Sequence, residues 1–146
     1  MKDDPRRLGR VRRAKELLRE RQRAVFEQAA AHSREAARRT QEANRALREA
    51  SAAFTDRVPR SARDLRLVAE QLRRARERFE RAAEAERQAA RRREAERAQL
   101  REAAIEVEAV GKLQQRAERA RRRKEQSAEQ LLTDEAASRA SQGGRR

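Results

Sequence analysis

The chain has 146 residues, of which 45% are charged, 36% hydrophobic and 2% aromatic. That mixture can stripe a long helix but cannot fill a globular core, so a compact single-core domain is not the expectation. The formal charge of +15 creates a field that attracts nucleic acid, anionic lipid or an acidic protein surface, and the lack of cysteine removes any disulfide framework or thiolate metal site.

The opening MKDDPRRLGR lacks the apolar run of a signal peptide, and no stretch approaches the ~18 to 20 apolar residues of a membrane span. The expectation is a cytoplasmic protein without membrane insertion. Ala, Arg, Glu and Gln, all good helix formers, then predict helix one over about 6–54. Its apolar residues fall on two heptad frames. Val11, Ala14, Leu18 and Val25 make the first; Ala36, Ala43, Leu47, Ala50 and Phe54, with Thr40, make the second. The step from Val25 to Ala36 reads as a stutter that locally unwinds a left-handed supercoil.

Residues 55–63, containing TDRVPRS, predict a turn. Pro59 disfavours helical geometry at Val58 and removes a backbone donor, while Ser61 and Asp64 have the spacing of a fresh N-cap. Helix two is expected over about 64–137, carrying Leu65, Val68, Leu72, Ala75, Phe79, Ala82, Ala89 and Leu100, with Glu86, Arg93 and Glu96 as polar members. Beyond Leu100 the frame runs through Ala103, Val107 and Val110, then shifts by three to Leu113, Ala117, Ala120 and Leu131. A disordered tail is expected over 138–146.

A short connection between two long helices implies an all-α antiparallel coiled-coil hairpin, a single domain spanning 1–146. Facing residues then have numbers summing to 118 or 119: Phe54 with Leu65, Leu47 with Leu72, Ala43 with Ala75, Ala36 with Ala82, Ala29 with Ala89, Leu18 with Leu100 and Val11 with Val107. Helix one is used up opposite position 112. Roughly 25 residues of helix two therefore overhang by about 35 to 40 Å at ~1.5 Å per residue, carrying Leu113, Ala117, Ala120, Leu131 and Leu132 without a partner.

No catalytic constellation is legible, and no cofactor is implied. His32 is the single histidine and has no acidic neighbour at a triad spacing; it reads as a solvated or seam side chain rather than a catalytic or metal-binding one. The acidic residues alternate with Arg at helix-face spacings, and Gly9, Gly111, Gly143 and Gly144 form no phosphate-cradling loop. Charge, by contrast, is unevenly spread. From Arg6 to Arg23 nine basic residues stand against Glu16 and Glu20, whereas residues 64–111 carry twelve basic and eleven acidic side chains. A second basic cluster, Arg121, Arg122, Arg123 and Lys124, follows Arg116 and Arg119. The hairpin brings both clusters to its open end. Single-strand binders add stacking aromatics to their charge and duplex binders a groove-reading element, so nucleic acid is the less favoured partner for a chain without Trp or Tyr.

The opening LGRVRRAKELLRERQRA and closing VEAVGKLQQRAERARRRKEQSAEQLLTDEAASR resemble the FliJ-like stalk proteins of bacterial flagellar export and their YscO-like relatives in type III secretion. Glu129, Gln130, Asp134, Glu135 and Ala137 match an EQxxxDExA pattern common near the end of flagellar members, and Val107, Glu108, Lys112 and Leu113 resemble the segment that precedes it. The resemblance implies a coiled coil whose open end sits in the central hole of a hexameric export ATPase and stimulates it. It also implies contact with an export gate membrane protein, handling of export chaperones, and a peripheral position on a membrane-embedded apparatus. With it, Arg12, Arg13, Arg19, Leu113, Arg121, Arg122, Arg123, Lys124 and Leu131 become the residues expected to meet the ring. Two other classes remain open: a basic coiled coil binding nucleic acid or ribosomes, and a self-associating structural coiled coil.

Overall fold

A computed structural model describes residues 4–56 and 58–143. The fold is all-α, an antiparallel hairpin of two long helices that pack against each other, α1 (Pro5–Asp56) and α2 (Ala62–Gly143). Each helix start has a physical cause. Asp4 caps α1: its Oδ1 accepts the Arg6 N–H at 3.0 Å and its carbonyl accepts the Leu8 N–H at 3.0 Å, with Pro5 at the first helical position, where a missing donor costs nothing. Ser61 caps α2, its Oγ accepting the Asp64 N–H at 3.1 Å and its carbonyl the Leu65 N–H at 3.1 Å. Residues 58–61, with Pro59 among them, are not helical.

The expected tail needs correction, because α2 continues through residues 138–143. Nothing between Ala136 and Gln142 breaks a helix, and the Ser141 hydroxyl donates back to the Ser138 carbonyl at 2.8 Å. The rest of that expectation, 144–146, and position 57 of the expected turn lie outside the described residues.

The helices form two compact units, residues 20–101 and residues 1–19 with 102–146. In the first unit the covered positions of α1 include a run that alternates by four and three: Gln22, Phe26, Ala29, Ser33, Ala36, Thr40, Ala43, Leu47 and Ala50. Those of α2 run Val68, Leu72, Ala75, Phe79, Ala82, Glu86, Ala89, Arg93, Glu96 and Leu100. Ala29 and Ser33 are the most deeply covered, so the seam is tight because its side chains are small. Gln22 Nε2 crosses it to Glu96 Oε2 at 2.7 Å. On the outer faces of the first unit the pattern Glu-x-x-Arg-Arg-x-x-Glu occurs once on each helix. Glu35 accepts from Arg38 at 2.8 Å and Arg39 at 3.0 Å, while Arg38 also reaches Glu42; Glu70, Arg73, Arg74 and Glu77 repeat the arrangement. Hydrogen bonds from the two arginines in each cluster hold Glu35 and Glu70 down at about 2.

The second unit continues the same alternation. Leu8, Arg12, Lys15 and Arg19 carry it among the covered positions of α1, against Ala103, Val107, Val110, Gly111, Gln114 and Ala117 of α2. Two expectations fail here. The stutter is absent: Val11 and Val25 are each 39% exposed, Leu18 is 52% exposed and Ala14 is exposed, so the first frame lies beside the seam and not in it. The shift after Val110 is also absent, because Gln114 takes the covered position and Leu113 stays 49% exposed. One unbroken 3,4 alternation spares the helix the unwinding that a stutter needs. Long basic side chains can occupy covered positions by laying their aliphatic stems on apolar surface and holding the charge at the edge.

Candidate functional site: the basic open end

The unit built from the first turns of α1 and the C-terminal part of α2 holds most of the residues singled out from the sequence. It is locked by polar contacts between the helices. Lys15 Nζ donates to Glu106 Oε2 at 2.6 Å. The Arg12 guanidinium lies over Gly111, 3.9 Å from where a Cβ would stand, and its Nε donates to Glu16 Oε1 at 3.0 Å. Gln114 Nε2 comes within 3.6 Å of the corresponding point on Gly9 and donates to Glu118 Oε1 at 3.0 Å. Both helix-interior glycines thus sit where a long polar side chain of the other helix passes, which is the close approach that a missing Cβ permits. The Gln114 Oε1 is buried with no hydrogen-bond partner among the described residues, a cost borne by this end of the seam.

These contacts pair residues whose numbers sum to 121 and 123, above the expected constant, whereas Gln22 with Glu96 gives 118. Helical side chains lean toward their own N-terminus, so a contact made by the tip of a long side chain is offset from the level of its Cα.

A groove beside this seam is lined by Arg6, Arg10 and Arg13 of α1 and by Arg121 and Arg122 of α2, with Asp4, Glu118 and Glu125 as its acidic members. Arg121 Nε donates to Glu125 Oε1 at 2.7 Å; that bond first, then the charges of Glu125 and Asp4, raise its pKa above the ordinary value. Farther along α2, Glu129, Gln130 and Asp134 line a shallow depression with Gln126 and Thr133, whose hydroxyl donates to the Glu129 carbonyl at 2.8 Å. Glu135 pairs with Arg139 at 3.7 Å, and Ala137 is exposed. From Arg119 to Gly143 every described residue is exposed, Leu131 at 66% and Leu132 at 67%.

The residues expected to meet a partner therefore separate into two groups. Arg13, Leu113, Arg121, Arg122, Arg123, Lys124 and Leu131 are on the surface, as are Glu129, Gln130, Asp134, Glu135 and Ala137. Arg12 and Arg19 are half-covered in the seam, and Arg12 is engaged with Glu16 and Gly111. Arg6 and Arg10, absent from the expected set, line the groove. A count of charge by helical face, in place of a count along the chain, would have picked them out. His32 is exposed beside Ala29 and Ala36. Among the described residues no group of three His, Cys, Asp or Glu side chains could hold a metal ion, and no helix is long and apolar enough to cross a membrane.

No family model matches the chain, and no curated protein or solved structure matches it.

Proposed function

We propose that the chain is a non-enzymatic coiled-coil stalk whose open end binds and stimulates the hexameric ATPase of a bacterial flagellar or type III export apparatus. The observation that carries the reading is the segment from Arg119 to Gly143, a continuous helix whose described residues are all exposed and whose first turns line the arginine-rich groove. An isolated helical face of this length is held together by helix propensity and local ion pairs, and it gains most from packing against another protein. The resemblance of Glu129, Gln130, Asp134, Glu135 and Ala137 to the flagellar pattern names the partner. Groove arginines would steer an acidic ring interior into alignment, and Leu113, Leu131 and Leu132 would supply desolvated contact. Contact with an export gate protein and with export chaperones belongs to the same reading.

The test is equilibrium binding of the full chain to a cognate hexameric export ATPase, and to single-stranded and duplex RNA, from low to physiological salt. The reading requires ATPase binding that survives physiological salt. Loss of ATPase binding there, with RNA binding retained, would replace the stalk by a nucleic-acid-binding coiled coil.

A further inference from the structure

The charges on the C-terminal part of α2 are sorted into two blocks. Residues 116–124 contain six basic side chains and one acidic one; residues 125–138 contain Glu125, Glu129, Asp134 and Glu135 and no basic residue. Local pairing uses few of them. Arg121 meets Glu125 and Glu135 meets Arg139, but among the described residues no ion pair takes up Arg116, Arg122, Arg123, Lys124, Glu129 or Asp134. A helix with a basic half followed by an acidic half is complementary to its own reverse. Laid antiparallel against a second copy, each basic block faces an acidic one, whereas an in-register parallel pair sets like charge on like. The same reversal brings the acidic block of one copy alongside the groove lined by Arg6, Arg10 and Arg13 of the other, and pairs Ala120 with Leu131 when facing numbers sum to 251.

We infer that residues 116–138 of α2 form a self-complementary docking surface, on which two copies of this chain pair antiparallel through their open ends. A C2 arrangement needs this self-complementarity, with each contact made twice. The charges are solvent-exposed and the apolar contribution is confined to a few Ala and Leu side chains, so the pairing is weak and salt-sensitive. The inference does not depend on the ATPase reading, although the two occupants would compete for one surface. Self-pairing would then hold the stalk in reserve until a ring displaces the second copy.

Two full-length variants test it by analytical ultracentrifugation at low salt, with no partner present and circular dichroism as the folding control. One carries Arg121→Glu, Arg122→Glu, Arg123→Glu and Lys124→Glu, making both blocks acidic; the other carries Glu125→Arg, Glu129→Arg, Asp134→Arg and Glu135→Arg, making both basic. Native protein should approach twice the monomer mass at low salt and return to monomer at about 0.5 M, where the Debye length falls to roughly 4 Å. Each variant alone should be monomeric, and an equimolar mixture should regain the doubled mass. A native chain that stays monomeric at low salt, or a mixture that fails to associate, overturns the inference; so does a homodimer of either variant alone.

Discussion

Gly111→Ala is the substitution whose outcome the geometry defines most closely. A Cβ built at Gly111 would stand 3.9 to 4.0 Å from the Arg12 guanidinium, ordinary van der Waals contact, and Gly111 sits in mid-helix with no left-handed backbone to preserve. Replacing such a glycine by alanine removes unfolded-chain entropy and gains helix propensity, together about 0.5 to 1 kcal/mol. In a chain of this size that raises the thermal midpoint by about 2 to 4 °C. Melting followed at 222 nm, at fixed protein concentration and salt, measures the change directly. Gly111→Leu, in contrast, needs the space that Arg12 fills and should lower the midpoint. An alanine variant that melts several degrees below the native protein would refute the assigned position of Arg12 over α2.

The first-frame leucine offers a second check on the seam. Leu18→Ala should cost less than about 1 kcal/mol, because Leu18 is half exposed, whereas Ala29→Leu should cost about 1 to 3 kcal/mol by overpacking a site only 5% exposed. Comparable losses at both positions would restore the stutter. Acid should also weaken the helices in a defined window. Glu35 and Glu70 titrate near 2, below the ordinary carboxylate value of 4.5, so their contribution is complete above about 4.5 and disappears as pH falls toward 2. Ellipticity at 222 nm should hold to pH 5 and decline below it. The double variant Glu35→Gln/Glu70→Gln should start lower at pH 7 and show a shallower decline, and an equally steep decline would remove these clusters as its cause.

The hairpin, its turn and its second N-cap were legible because each rests on local chemistry: Pro59 and the Ser61–Asp64 spacing do the same work in any context. The start of α1, at Pro5 behind the Asp4 cap, lies one residue before the expected position 6. What hydrophobic periodicity misplaced was the face of α1 that pairs near the open end. Val11, Leu18 and Val25 repeat every seven residues, as a seam does, yet the paired face there carries Arg12, Lys15, Arg19 and Gln22. Apolarity marks buried positions only where burial is deep. In a two-helix hairpin long polar stems can cover the seam, and continuity with the small residues Ala29, Ser33 and Ala36 decides the frame. The basic clusters stand out along the chain, but which of their arginines are exposed depends on helical face.

The stalk account turns on the uncovered end of α2, and ATP hydrolysis by the cognate hexameric export ATPase tests that most directly. Hydrolysis would be measured against added full-length chain and against a chain ending at Glu118, where coverage by α1 stops. The truncated chain should keep its helicity over the paired segment, since residues 119–143 are exposed and meet α1 only at the groove through Arg121, Arg122 and Glu125, and should lose stimulation. Stimulation by the truncated chain equal to that of the full chain would contradict the account, because the working surface would then lie elsewhere on the hairpin.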